Sequence, residues 1–148
     1  MGAINSRQKG ASSEREFANL IRDNLGVRLV RVLDQSRGGG FDLAPAPDQS
    51  GPVVDTVRGL AIECKRYSNI TPSLMERFWS QAVRQAAAAG LIPALAWRAD
   101  RSPWRVTIPL AWLAGMGTSM DLEFTATLAV EAFCLAVREL AGGGRYEK

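Results

Sequence analysis

Four side chains in this sequence are of types that hydrolyse a phosphodiester with the help of a metal ion, and two of them sit in one strand. The run Gly59-Leu60-Ala61-Ile62-Glu63-Cys64-Lys65-Arg66 has the apolar flank of a buried strand, yet it carries Glu63 and Lys65 two residues apart. Side chains two apart on a strand point the same way. Leu60, Ile62 and Cys64 therefore form one face, while a carboxylate and an ammonium share the other. Burying two charges in a sheet is costly unless they pair or bind an ion. Upstream, Asp42 follows the glycine-rich turn Gly38-Gly39-Gly40-Phe41, and Glu14 opens a predicted helix. Magnesium takes hard oxygen ligands. Asp42 and Glu63 would supply two carboxylates from adjacent strands, and the backbone carbonyl of Cys64 a third oxygen. An ion so held polarises a phosphoryl oxygen and acidifies bound water. Lys65 would orient or deprotonate that water, or stabilise charge on the pentavalent phosphorus. Glu14 would hold metal-bound waters or a second ion. A Glu-x-Lys tripeptide alone is more often a solvated pair on a surface strand. The apolar flanks, the upstream Asp42 and the helix-borne Glu14 shift the balance to a metal-dependent nuclease.

Those residues need elements to carry them. Ser13 and Glu16 have the spacing of a capping box, which predicts a helix from there to Gly26 with Phe17, Ile21 and Leu25 on its apolar stripe. Val27 to Leu33 reads as a strand, Asp34 to Gly40 as a flexible loop, and Phe41 to Ala44 as a short second strand. Residues 45–58, rich in proline and polar side chains, read as a hairpin connection to the third strand, Leu60 to Arg66. Thr71-Pro72-Ser73 predicts a helix from about Ser73 to Ala89, stopped by Gly90. Strands follow over Pro93 to Arg98, Arg105 to Leu110 and Leu122 to Ala129, then a helix over Val130 to Leu140. This α-β-β-β-α-β-β order with a C-terminal addition fits an α/β sandwich with a mixed central sheet flanked by helices. We expect a basic arm over residues 1–11, one domain over 12–141 (core to about 110, extension 111–141) and a flexible tail over 142–148.

The bulk numbers permit this and exclude rivals. At 148 residues and 47% hydrophobic content the chain can bury the core of one domain. A net charge of +3 is too mild to establish nucleic-acid binding by itself. The chain has no histidine, which excludes Ser-His-Asp and Cys-His relays and imidazole zinc sites. Its two cysteines, Cys64 and Cys134, read as small buried hydrophobes rather than a disulfide framework. No apolar run approaches membrane-spanning length and none resembles a signal peptide, so the expected location is the cytoplasm, or the host cytoplasm for a viral protein, with no membrane partner. Arg7, Lys9, Arg15, Arg31 and Arg37 are candidate phosphate contacts. If they act together, binding weakens steeply with salt. Trp79, Trp97, Trp104 and Trp112 read mainly as core or dimer contacts.

The ordered set of motifs resembles the PD-(D/E)xK nuclease superfamily. It is most similar to the archaeal-type and phage Holliday-junction resolvase branch, with a restriction-endonuclease-like fold. The matching text is Arg7-Gln8-Lys9-Gly10, then Glu14-Arg15-Glu16, then Val30-Arg31-Val32. The loop Ser36-Arg37-Gly38-Gly39-Gly40 follows, leading into Phe41-Asp42-Leu43, and the strand Ile62-Glu63-Cys64-Lys65 completes the set. The likeness spans residues 7–110. It implies a magnesium-dependent endonuclease, with Mn2+ able to substitute, leaving 5′-phosphate ends and acting as a homodimer on branched DNA. It implies that Glu14, Asp42, Glu63 and Lys65 are catalytic and that Arg15 and the loop from Ser36 to Gly40 contact the DNA backbone. Some branches also carry a glutamine near the metal-bound water on the following helix, a role Gln81 would fill here; Gln81 and Gln85 read otherwise as a solvated face. The long interval from Asp42 to Glu63 and the segment after Leu110 depart from the compact members, which bears on substrate preference more than on chemistry. Two other functions remain open on the same residues. One is a nuclease for flaps, nicks or a specific duplex sequence; the other is a non-catalytic DNA-binding or regulatory protein on this fold.

Overall fold

The structure, a computed structural model, describes residues 2–32 and 40–143, with side chains from Gly10 onward. Helices α1 (Gly2–Leu25), α2 (Pro52–Arg58), α3 (Pro72–Ala89), α4 (Leu110–Ala114) and α5 (Val130–Ala141) surround one sheet. Its strands are β1 (Leu29–Arg31), β2 (Leu43–Pro45), β3 (Leu60–Tyr67), β4 (Ile92–Ala99), β5 (Arg105–Pro109) and β6 (Thr125–Ala129). They lie in sequence order, and β3 with β4 is the parallel pair in an otherwise antiparallel ladder. The crossover between these parallel strands is α3, as a parallel pair requires.

Alternation along the strands sorts the core into two layers. Leu60, Ile62, Ala94, Ala96, Val106 and Ile108 face a layer formed by α1, α2 and α5, where Phe17, Ile21, Val57, Phe133 and Val137 are buried. Ala61 and Leu95 face the other way, against Ala86, and against Phe78, Trp79 and Ala82, all on α3. The α/β sandwich with a mixed sheet is thus the observed fold. Among the described residues no helix is long and apolar enough to cross a membrane.

Several boundaries differ from the sequence reading. The first helix starts at Gly2, not Ser13, so the expected arm is continuous with it and no capping box forms at Ser13. Residues 52–58 form a helix rather than half of a hairpin. Pro52 sits in its first turn, where a missing N–H costs nothing, and Val54 and Val57 are buried. Leu110–Ala114 turns helical where a strand end was expected, and Leu122–Phe124 is a 3-10 turn leading into β6. By contrast α3 follows its signals closely. The Thr71 hydroxyl accepts the Leu74 N–H at 3.2 Å, and Gly90 closes the helix at φ 68°. All four tryptophans make contacts within the chain. The indole N–H groups of Trp79, Trp97 and Trp104 bond to Met120 O, Thr107 Oγ1 and Glu16 Oε1, and Trp112 stacks on Phe133.

Candidate active site

Asp42 stands where β2 parts from β3, and three hydrogen bonds fix it there. Its N–H donates to Ile62 O at 2.9 Å, and its own carbonyl accepts from Val32 N–H at 2.9 Å. Its carboxylate Oδ2 accepts the Cys64 N–H at 2.8 Å. The side chain thus takes over a strand donor on β3 once main-chain pairing at Leu43–Ile62 has ended. Phe41, buried in the cluster with Ala61 and Ala86, anchors the approach.

Glu63 is 3% exposed on the α3 side of the sheet, and its Oε1 is buried without a hydrogen-bond partner. Burial, and then the neighbouring Asp42 carboxylate, push its acid up to about 8, with Lys65 opposing the shift. Lys65 Nζ lies 3.4 Å from Glu63 Oε2 and 5.3 Å from the centre of the Phe78 ring, over its face. The ammonium is therefore held by a carboxylate on one side and an aromatic face on the other. Beyond it, Lys65 lines a cleft of about 620 Å³ with Tyr67, Arg77, Gln81 and Arg84 among its walls.

Glu14 reaches the same region from α1. It is buried rather than at an exposed end, as its place on the helix suggested. Burial first and the charge of Asp42 second raise its acid, while Arg31 pulls it back. The Arg31 Nε stands 2.6 Å from Glu14 Oε2, a charge contact rather than an aligned hydrogen bond. Arg31, expected on a phosphate, is thus the counter-ion of Glu14 in this state.

The donor set fits a hard divalent cation. Two carboxylates stand close together, one with an orphaned buried oxygen, and a bound cation would relieve both features. Among the described residues no three His, Cys, Asp or Glu side chains converge to close a cage. An ion there would be completed by water, a backbone carbonyl such as that of Cys64, and substrate, which is how magnesium is commonly held. Once bound, the ion supplies Lewis acidity and an acidified water. Asp42 and Glu63 would hold such an ion, and Lys65 stands between Glu63 and the cleft.

Of the other expected site residues, Gln81 lines the Lys65 cleft and Arg15 is exposed on α1. The side chains of Arg7 and Lys9, and Ser36 and Arg37 altogether, lie outside what the structure describes. Glu16 was missed. It does not cap a helix but bonds to Arg98 and to the Trp104 N–H (2.7 Å), and pairs with Arg66 at 3.5 Å. Burial raises its acid, but the Trp104 and Arg98 hydrogen bonds and the arginine charges outweigh this and leave it lowered. Arg66 and Arg98 are register partners on the parallel strands. Two like charges side by side after the Glu-x-Lys motif were the available signal for an acidic partner.

Known proteins similar to this chain are nucleases and a phage protein. The profile of a family described as “Phage putative PDDEXK endonuclease” matches residues 5–130. Protein D14 of Escherichia phage T5 is 28% identical over 120 residues, 72% of either chain. A solved structure of Hjc, a Holliday junction resolvase from the archaeal hyperthermophile Archaeoglobus fulgidus, is similar at 21% identity. That alignment covers 90% of this chain and 96% of that one, with a TM-score of 0.44. The family match extends over most of the chain and takes in Glu14, Asp42, Glu63 and Lys65, so the chain belongs to this phage PDDEXK endonuclease family.

Proposed function

We propose that this protein is a divalent-metal-dependent DNA endonuclease selective for branched DNA, a Holliday junction resolvase acting as a homodimer and leaving 5′-phosphate ends. The observation that carries the chemistry is the approach of the Asp42 carboxylate to Glu63, with Lys65 Nζ 3.4 Å from the same glutamate. Asp42 and Glu63 hold magnesium, or manganese in its place, with the Cys64 carbonyl. Lys65 serves the attacking water or the developing charge, Gln81 orients that water, and Glu14 holds metal-bound waters. Arg7, Lys9, Arg15, Ser36 and Arg37 take backbone phosphates. Arg31 joins them by exchanging Glu14 for a phosphate. The junction preference and the dimer rest on the ordered likeness of residues 7–110 to resolvases. A dimer suits that task because it offers two sites to opposed strands.

The test compares a four-way junction with a linear duplex of the same sequence, in magnesium. Symmetric paired incisions confined to the junction support the proposal. Equal cutting of the linear control removes the junction preference, and no cutting in magnesium or manganese removes the enzyme.

A further inference from the structure

We propose that the cleft along α3 binds an unpaired stretch of the substrate strand, with Tyr67 stacking on a base and Arg77 and Arg84 holding its phosphates. This inference rests on the nuclease reading above and names what that site takes in. The cleft, about 620 Å³, falls in the range of pockets that accept groups of nucleotide size (roughly 300–1,000 Å³).

Two kinds of side chain in its walls suit a nucleic acid, beside the carboxylate of Glu76 and the polar Ser73, Ser80 and Gln81. Most arginines of the described residues already have carboxylate or carbonyl partners, as with Arg31 on Glu14, Arg66 and Arg98 on Glu16, Arg28 on Asp48, Arg58 on Asp55, and Arg138 on Asn24 O. Arg77 and Arg84 are exposed, and neither makes an ion pair among the described residues. Two turns apart on α3, they present cations at a spacing of about 10.5 Å. The second kind is aromatic. Tyr67 is 46% exposed at the end of β3, two residues beyond Lys65 on the same face. Its ring centre lies 4.9 Å from that of buried Phe78, which holds it in place. An exposed aromatic packed against a buried one, among cations, is how proteins bind single strands without reading sequence: bases stack and phosphates pair. In a closed duplex the bases already stack on each other, so Tyr67 has a partner only where the strand is splayed.

Lys65 lines the same cleft, so the strand it holds is continuous with the one at the carboxylates. Glu76, Ser80 and Arg84, four residues apart, line both this cleft and a neighbouring one that contains Asp121 and Glu123. Those acids repel a phosphate chain and bound its path on that side. Selectivity for branched DNA then has a source in this chain's own residues: the cleft takes what a junction, flap or fork exposes.

The test is binding of the full-length protein, in EDTA to prevent cleavage, to a splayed fork and to a fully paired duplex across a potassium chloride series. Each phosphate contact to a single strand contributes about 0.7 to the slope of log affinity against log salt. Arg77→Ala and Arg84→Ala should each lower the fork slope by about that amount. Tyr67→Ala should weaken the fork by about 5- to 160-fold, the range for one stacked base, and leave the duplex within twofold; Tyr67→Phe should bind as wild type. The inference is overturned if Tyr67→Ala weakens fork and duplex alike, or if the arginine variants leave the fork slope unchanged. Since Tyr67→Phe keeps the ring on Phe78, a loss there points to folding rather than stacking and counts against the inference as well. Cleavage is read separately in magnesium, so wild type that binds the fork this way but cuts nothing removes the nuclease reading while the cleft stands.

Discussion

The carboxylate of Asp42 accepts the backbone N–H of Cys64 at 2.8 Å, and this bond ties the acid of one strand to the charged end of the next. Glu63 immediately precedes Cys64, so the bond that orders Asp42 also brings two carboxylates together. In the metal-free protein burial and the nearness of Asp42 raise the Glu63 acid, and that shift has measurable consequences.

The first concerns Asp42 itself. Asp42→Asn keeps an oxygen to accept the Cys64 N–H but removes a charge from the ion site. Folding should be preserved, as read by circular dichroism. Cleavage should fall by at least about 100-fold, the scale on which even outer partners of metal ligands act.

Glu63 gives the opposite balance of stability and function. Its folded pKa of about 8 lies above the ordinary 4.5. The metal-free fold therefore retains a proton that the unfolded chain releases. The stability this contributes is complete below pH 4.5 and is lost as pH rises through 8. Glu63→Gln should abolish cleavage yet raise the melting temperature of the metal-free protein at pH 8, by about 2–4 °C for each kcal/mol of repulsion relieved. Scanning calorimetry in EDTA reads this directly, and the gain should shrink towards pH 4.5.

The same proton links metal binding to pH. A divalent ion must displace it, so between pH 5.5 and 7.5 the apparent affinity should rise about tenfold per pH unit, with one proton released per ion. Calorimetric titration of manganese in buffers of different ionisation heat measures that proton. In Glu63→Gln the pH dependence should flatten.

Glu16 should separate architecture from chemistry. It holds Arg66 and Arg98, which are adjacent in the parallel register, and its loss leaves two like charges facing each other. Glu16→Ala should cost about 1–3 kcal/mol in urea denaturation, the range for hydrogen bonds to a charged group. Manganese affinity should change little, because the cluster lies on the face of the sheet opposite Glu63.

Much of the site was legible because its residues announce themselves locally. Glu63 and Lys65 are charges in an apolar strand, and Asp42 follows a glycine turn. The helix between β3 and β4 could be read too, since Thr71-Pro72 and Gly90 delimit it. What stayed hidden depended on contacts distant in sequence. Ser13 and Glu16 have the spacing of a cap, but upstream helix continues through them, and Glu16 is instead drawn to Arg98, eighty-two residues on. Residues 45–58 read as a hairpin connection because the role of Pro52 as a helix starter depends on Val54 and Val57 having a core to enter. The pairing of Arg31 with Glu14, and the exposure of Tyr67 above Phe78, required the folded chain.

If Asp42 and Glu63 together hold the ion that serves cleavage, magnesium titrated into a reaction on a labelled four-way junction should separate wild type from Asp42→Asn. No product is expected in EDTA, a saturable rise with magnesium for wild type, and a flat, near-baseline response for the variant. Cleavage that persists in EDTA, or magnesium curves that coincide for the two proteins, would rule out that role for the pair.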